Sequence, residues 1–341
     1  EKQALLWSQH HILTDGWSMP LILKDVWQAY DQILQQQAVR LPHIPRYEKY
    51  IAWLAVQDKE KAKAYWQDYL SGVNIQRIEL GISNKVRQNE LVDVTYECSL
   101  EIDKKRTQQL YRLAKDYGVT LNTLFQGIWA FLISQYSASD EVVFGVTVSG
   151  RGDAFFQVES MVGLFINTLP LRAQLKPELQ FSALCQQLQN DTRLAERYGY
   201  LALAEIQRYT SVAGGDRLFD VAFIFENYPI ESSALLDAKT KSDVSLTLEN
   251  VFGVEKTEYA LECMVAPQKE AILLRITSHT PDVDEIRVQQ ITEQCLHVIN
   301  QITQSINLSV NQIDVLTSKE KELQLITWNQ TQAAYPSTKT L

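Results

Sequence analysis

The sequence predicts a mixed α/β sandwich, in which a sheet packs against a layer of helices. Apolar residues recur at helical spacing over residues 121–133, whereas they alternate with a period of two over residues 219–225. The predicted strands and helices do not alternate strictly, which argues against a repeating βαβ array. The chain has 341 residues, and since a domain typically holds roughly 100–200 residues, this length favours two structural units.

The first predicted unit comprises residues 1–85. Its predicted elements, in chain order, are a buried strand over residues 4–9, a helix capped by Ser18 with Pro20 in its first turn, one or two aromatic-rich helices over residues 47–70, and the start of a polar linker over residues 83–90. The adjacent histidines His10 and His11 therefore lie on a strand-to-helix connection.

The second predicted unit comprises residues 86–315 and carries its own core. Its predicted strands cover residues 92–100, 142–148, 164–171, 219–225, 244–251, 259–265 and 271–278. Its predicted helices cover residues 104–117, 121–133, 181–197 and 285–303. Residues 316–341 begin with a short charged helix and are predicted to form a linker towards a following domain.

The composition is typical of a globular protein, with 45% hydrophobic and 21% charged residues. The 32 Lys and Arg residues and 41 Asp and Glu residues leave a net charge of −9 without a dense basic cluster, so nucleic acid is not an expected partner. All apolar stretches are far shorter than the ~20 residues that a membrane span needs. The sequence thus predicts a soluble, cytoplasmic protein without a membrane partner.

The cysteines give no sign of a metal site or of a disulfide framework. Cys98, Cys185, Cys263 and Cys295 are far apart, no CxxC pair occurs, and no histidine lies nearby at a metal-ligand spacing. Cys185 and Cys295 fall on the apolar faces of predicted helices, where we expect buried thiols.

The cluster most suited to chemistry is His10-His11 with Asp15-Gly16 on the same predicted loop. Histidine exchanges a proton near neutral pH, and a ring held at the end of a strand suits a general base. Packing histidines followed by an ordinary Asp-Gly turn fit these residues equally well. A shared metal ion is disfavoured, because adjacent strand residues point to opposite faces. By the same geometry, we expect one ring to face a cleft and the other to pack inward.

Three ordered motifs make the interpretation more specific. They are SQHHILTDGWS at residues 8–18, VTVSGR at residues 146–151 followed by MVGLFINTLPLR at residues 161–172, and DRLFDVAF at residues 216–223 followed by NYP at residues 227–229. The first resembles the HHxxxDG signature of the condensation domains of nonribosomal peptide synthetases. The second resembles the VSGR and VGxFxNT segments of that family. The resemblance covers nearly the whole chain and favours a functional role for the histidines.

The resemblance implies two chloramphenicol-acetyltransferase-like subdomains in a V-shaped pseudo-dimer, with the histidine loop in a tunnel between them. Upstream and downstream peptidyl carrier proteins would present substrates on pantetheine, and the domain would bind no cofactor of its own. The acceptor's α-amine would attack the donor's thioester and form an amide bond. The motifs are similar to those of the subtype that joins an L-donor to an L-acceptor. We also expect an adjacent adenylation domain, and an upstream part of the domain that this sequence lacks.

The resemblance also implies roles for single residues. His11 accepts or positions the amine proton, and Gly16 lies nearest the developing oxyanion, although a turn glycine with positive φ fits as well. Asp15 is structural and pairs with Arg151, whereas His10 is a buried, hydrogen-bonded partner. The other assigned positions, which pack the start of the helix or line the substrate tunnel, are Trp17, Ser18, Asn167 and Asn227.

Two alternative functions remain. An epimerase-type relative shares the HHxxxDG loop, but we expect it to differ around residues 162–172 and not to precede an adenylation domain. A catalytically silent domain of the same fold, which docks carrier proteins or tailoring enzymes, commonly lacks the intact loop. Heterocyclising relatives carry aspartates in place of His10 and His11, so they are disfavoured.

Overall fold

The computed structural model describes residues 6–73, 94–152, 157–210, 217–226, 257 and 259–332. Its helices are α1 (Ser18–Leu34), α2 (Glu48–Ala55), α3 (Lys59–Tyr69), α4 (Lys104–Tyr117), α5 (Leu121–Ser137), α6 (Phe181–Arg197), α7 (Leu203–Arg208), α8 (Glu285–Gln304) and α9 (Ser318–Leu325). Its strands are β1 (Tyr96–Ile102), β2 (Glu141–Val148), β3 (Asn167–Gln174), β4 (Val221–Phe225), β5 (Leu261–Pro267) and β6 (Ile272–Ser278). None of these helices is long and apolar enough to cross a bilayer.

The strands form one mixed sheet in the spatial order β1-β6-β5-β4-β2-β3. Strand β4 pairs in parallel with β2 and with β5, and the other neighbouring pairs are antiparallel. Each strand overlaps a segment that the sequence predicts to be extended. The predicted strand over residues 244–251 lies outside the described residues.

Helices α5, α6 and α8 pack on the sheet and α4 packs on these three helices, and this helical layer forms the main core with the sheet. Helix α5 is apolar on nearly all sides, because it lies between the sheet and its neighbours α6 and α8. The largest fully buried side chains of this core are Trp129, Phe125, Phe131, Phe144, Phe181 and Phe223. This layered arrangement confirms the predicted α/β sandwich.

Side-chain caps fix the starts of three helices in this layer. Asp103 and Asp284 each accept a hydrogen bond at 2.9 Å from the backbone N–H of the third residue of α4 and α8 respectively. Thr120 accepts the corresponding bond of α5 at 3.1 Å. Such bonds satisfy backbone donors that a helix start leaves unpaired. Gly118 caps the end of α4, and its φ of 69° is left-handed and favours glycine.

Cys185 and Cys295 are buried in the main core, as the helical pattern predicts. Burial removes the thiol from water and disfavours its charged form, which raises the pKa of Cys295 to about 12. At neutral pH these side chains are therefore protonated and pack as small apolar groups.

A second buried cluster joins α3 to the edge strand β3 and to α6 and α7. Trp66 of α3 is fully buried in it, and its Nε1 donates a hydrogen bond to the Tyr198 carbonyl at 3.1 Å. Arg172 of β3 donates from Nη1 to the carbonyl of Tyr69 at 3.1 Å and from Nε to Glu141 Oε1 at 2.7 Å. Helix α3, which belongs to the first predicted unit, thus shares a core with the second.

The connection before α1 differs from the prediction. Residues 6–10 have no regular secondary structure, and Leu6 is 93% exposed. No strand of the described ranges lies beside this segment, so no ladder of hydrogen bonds holds it extended. The prediction of a buried strand over residues 4–9 is therefore wrong for its described part.

The charged helix predicted near residue 317 is present as α9. Thr317 and Glu320 form a capping box, in which Thr317 Oγ1 accepts from Glu320 N at 3.3 Å and Glu320 Oε2 accepts from Thr317 N at 2.8 Å. Glu320 also accepts a hydrogen bond from Gln294 Nε2 of α8 at 2.7 Å. The start of the tail is therefore fixed on the helical layer.

We predict that Trp66→Ala destabilises the protein by about 3–5 kcal/mol, because it removes a fully buried ring and leaves a cavity beside β3. Urea denaturation monitored by circular dichroism measures this loss. Trp328→Ala is the matched control, since this ring is 63% exposed. Equal stability of the two variants would contradict the second core.

Candidate active site

The histidine pair lies on a tight turn. Residues His11–Leu13 form a short 3-10 helix, and His10 caps it, because its Nδ1 accepts a hydrogen bond from Ile12 N at 3.1 Å. Both histidines are exposed. The expectations that one ring packs inward and that His10 is buried are therefore wrong, since they rested on a strand that is not present. His10 shapes the turn, and the His11 ring is accessible to a substrate.

The Asp15 carboxylate is fully buried and points into the protein. Its Oδ1 accepts hydrogen bonds from Ser18 N and from Ser18 Oγ, both at 2.9 Å. Its Oδ2 accepts from Phe165 N at 3.0 Å. These bonds hold the start of α1 and the connection before β3 to the histidine loop. The carboxylate is thus engaged in structural contacts, as the sequence predicts.

Arg151 forms the predicted ion pair with Asp15, at 2.9 Å between Nη2 and Oδ1, and its side chain is only 2% exposed. Its Nη1 donates to the carbonyls of Val158 and Met161 at 2.7 and 2.8 Å. The guanidinium also lies over the Phe165 ring, 4.1 Å from its centre. A buried charge pair is stable only when such additional hydrogen bonds surround it.

Ser18 is completely buried inside this network. Its hydroxyl lies 2.9 Å from the carbonyl oxygen of Gly163 and accepts from Gly163 N at 3.0 Å. Ser18 is also the first residue of α1, and the carboxylate of Asp15 satisfies its N–H. The predictions that Ser18 caps the helix with its own side chain and lines a tunnel are therefore wrong.

Gly16 and Trp17 form the turn between Asp15 and α1, and both are half-buried. The turn closes with a hydrogen bond of 3.0 Å from Ser18 N to the Asp15 carbonyl. Gly16 is not among the left-handed glycines of the described residues, which are Gly72, Gly118 and Gly150. The turn-glycine interpretation based on a positive φ is therefore wrong, and the Gly16 amide remains a candidate oxyanion donor.

Asn167 begins β3 and is half-buried. Its Nδ2 donates to the carbonyls of Gly199 and Leu201 at 2.9 and 2.7 Å, and its Oδ1 accepts from Thr168 N at 2.9 Å. Both amide protons are thus used to hold the loop after α6. Asn227, the other predicted tunnel residue, lies outside the described residues.

Two glycines around the ion pair were not assigned a role from the sequence. Gly150 has a left-handed φ of 64°, and a Cβ there would collide with the carbonyl oxygen of Phe165. A Cβ on Gly163 would collide with the ring of Tyr47. The VSGR and VGLF motifs contain these glycines. The reason for glycine at each position is a close contact with a distant residue, which only the structure shows.

The described residues contain no group of three His, Cys, Asp or Glu side chains that could hold a metal ion. The site therefore consists of an exposed histidine turn fixed to the sandwich through a buried ion pair. Such an arrangement can present an imidazole to a substrate and move or position a proton there.

The sequence model of the condensation domain family matches residues 1–325. One of the proteins that make up linear gramicidin synthase in Brevibacillus parabrevis is 36% identical over 341 residues, which are 99% of this chain and 6% of that relative. The chain thus spans a small part of the relative's length.

Solved structures share the fold at low sequence identity. The complex of the X-domain and OxyB from teicoplanin biosynthesis matches with a TM-score of 0.74 at 18% identity, over 91% of this chain and 69% of that chain. The first condensation domain of the calcium-dependent antibiotic synthetase, in complex with a substrate analogue, matches with a TM-score of 0.69 at 16% identity, over 90% of this chain and 66% of that chain.

Solved condensation domains share this mixed α/β fold, which confirms the predicted chloramphenicol-acetyltransferase-like fold class. With a match over residues 1–325, the chain belongs to the condensation domain family. Condensation domains of nonribosomal peptide synthetases catalyse amide-bond formation, which is an acyl transfer. The family predicted from the motifs is thereby confirmed.

We predict that Arg151→Ala and Asp15→Asn each lower the free energy of unfolding by about 3–5 kcal/mol, because each strands the other member of a buried pair. Urea denaturation measures the change. Arg46→Ala serves as the control, since its pair with Glu48 is 79% and 70% exposed and should contribute about 0–1 kcal/mol. Variants as stable as the control, but slow in catalysis, would assign the pair a chemical role instead.

Proposed function

We propose that this chain joins two carrier-bound substrates in nonribosomal peptide synthesis. The acceptor's α-amine attacks the carbonyl carbon of the donor thioester, so a C–N bond forms and the C–S bond breaks. The amine loses a proton, and the pantetheine thiolate of the donor carrier leaves and takes up a proton. The observation that carries this proposal is the exposed His11 turn, fixed by the buried pair of Asp15 and Arg151.

His11 is proposed to accept or position the proton of the amine. An α-amine has a pKa of about 8, so a large fraction is protonated at neutral pH and must lose a proton before it can attack. A positioned base typically contributes about 10²–10⁴-fold to the rate. The Asp15 carboxylate is bound to Ser18, Arg151 and Phe165. We therefore propose that His11 handles the amine proton without help from this carboxylate.

The backbone N–H of Gly16 is proposed to donate to the developing oxyanion. One such donor contributes about 2.7–4 kcal/mol in other acyl-transfer enzymes. Trp17, next to it in the turn, is proposed to border the substrate tunnel with Asn167 and Asn227. Among these, Asn167 can offer a substrate only the second lone pair of Oδ1, since both of its amide protons are bound and Oδ1 already accepts from Thr168 N.

The partners are proposed to be an upstream donor carrier and a downstream acceptor carrier, each with its substrate on phosphopantetheine, together with an adjacent adenylation domain. The similarity to a much longer protein of linear gramicidin synthase supports a multidomain context. The motifs support an L-donor and an L-acceptor as substrates. A cytoplasmic location of the chain is also proposed.

We infer that a preceding part of the same domain packs against the exposed apolar residues between positions 6 and 44 and leaves the His11 ring open to the substrate. In this division, residues 1–85 complete an N-terminal subdomain, residues 86–315 form the C-terminal one and residues 316–341 form the linker. A concentration of exposed apolar side chains marks an interface. The exposed large apolar residues in this part of the chain are Leu6, Trp7, Ile12, Leu13, Val26, Ile33, Leu34, Val39, Leu41 and Ile44.

We predict that His11→Ala reduces peptide formation by about 10²–10⁴-fold while the melting temperature stays close to that of the wild type, because the side chain is exposed. A single-turnover assay on the synthetase that carries this chain, with a loaded donor and a loaded acceptor carrier, measures the condensed product by mass spectrometry. His43→Ala is the matched control, since this histidine is also exposed.

The same assay separates the alternatives. A dipeptidyl or longer condensed product supports the proposed function. An inverted stereocentre without condensation indicates the epimerase-type relative, and no reaction with intact carriers indicates a silent docking domain. Full activity of His11→Ala would contradict the proposal that His11 accepts or positions the amine proton.

A further inference from the structure

Tyr47 lies outside the three motifs but contacts the connection that holds the histidine loop. It precedes α2 and is half-buried. Its hydroxyl donates a short hydrogen bond to the Leu164 carbonyl. Its ring meets the Phe165 ring edge-on, with 5.1 Å between ring centres and an angle of 87°. Tyr47 therefore fixes two successive residues of this connection.

Gly163 provides the space that Tyr47 needs. A Cβ at this position would collide with three atoms of the Tyr47 ring, Cγ, Cδ2 and Cε2. The φ of Gly163 is not left-handed, so the backbone conformation alone does not require glycine there. The close approach of the Tyr47 ring is thus the reason for a glycine in this part of the VGLF motif.

Gly163 and Phe165 also bind the histidine loop, on the side away from Tyr47. Gly163 N donates to Ser18 Oγ at 3.0 Å, and Phe165 N donates to Asp15 Oδ2 at 3.0 Å. Residues 163–165 therefore lie between Tyr47 and the polar network of Asp15 and Ser18, which closes the turn directly after His11–Leu13. A displacement of these residues shifts two of the hydrogen bonds that hold the turn.

We propose that Tyr47 is a positioning residue for His11, which acts through residues 163–165 and the side chains of Asp15 and Ser18. The expected loss of kcat rests on the proposed function, whereas the expected change in the position of the His11 ring does not. Burial and the nearby Asp15 carboxylate raise the pKa of Tyr47, so its hydroxyl remains protonated and able to donate across the neutral pH range.

Tyr47→Phe tests this role, because it keeps the ring beside Gly163 and removes only the hydroxyl. Tyr117→Phe is the matched control, since the Tyr117 hydroxyl also donates to a carbonyl, that of Ile306, at 2.8 Å in the helical layer. We expect Tyr47→Phe to lower kcat about 10-fold with KM for both carriers unchanged, because small misplacements of a reacting group reduce the rate strongly. Tyr117→Phe should leave kcat unchanged.

A spectroscopic readout separates this inference from the proposed function. The imidazole signals of the ¹⁵N-histidine-labelled chain are recorded without substrate, and His11→Ala identifies those of His11. Tyr47→Phe should shift the His11 signals, and Tyr117→Phe should not. Unmoved His11 signals in Tyr47→Phe, or equal shifts in both variants, would overturn the positioning role. If the wild type forms no peptide, the proposed function fails and the imidazole signals still decide the role of Tyr47.

Discussion

The buried pair of Asp15 and Arg151 is the interaction on which the geometry of the candidate site depends. It joins two parts of the chain that are 136 residues apart in sequence. Neither charge would be stable in this environment alone, since removal of a charge from water costs several kcal/mol. The surrounding carbonyls, the Ser18 hydroxyl and the Phe165 ring make the environment suitable for both. The turn that follows the exposed histidines is thus held by groups that are themselves buried.

Local signals in the sequence were sufficient for most of the fold. Helices α4 and α6 begin and end at the predicted residues, because an amphipathic pattern carries most of this information within the helix itself. The strand predicted over residues 4–9 failed for the opposite reason. A strand is stabilised by a neighbour, and an apolar run does not reveal whether the described chain supplies one.

Contacts within the candidate site were predictable only where both interacting residues belong to recognised motifs. The pairing of Asp15 with Arg151 came from the resemblance to a family and is present in the structure. The burial of Ser18 and the exposure of His10 were not predictable, because both depend on which distant segment packs against the turn. The contact between Tyr47 and Gly163 joins residues 116 positions apart by number, and no local pattern indicates it.

The shared core of α3 and β3 bears on how such synthetases can be recombined. A junction placed at residue 86 would separate Trp66 from Leu169, Ile206 and Phe219, which pack in one buried cluster. A hybrid made in this way would have to rebuild that contact with a foreign helix, whose side chains evolved against another sheet edge. Exchange units that keep residues 59–73 together with the sheet would avoid this mismatch, whatever substrate the hybrid is meant to accept.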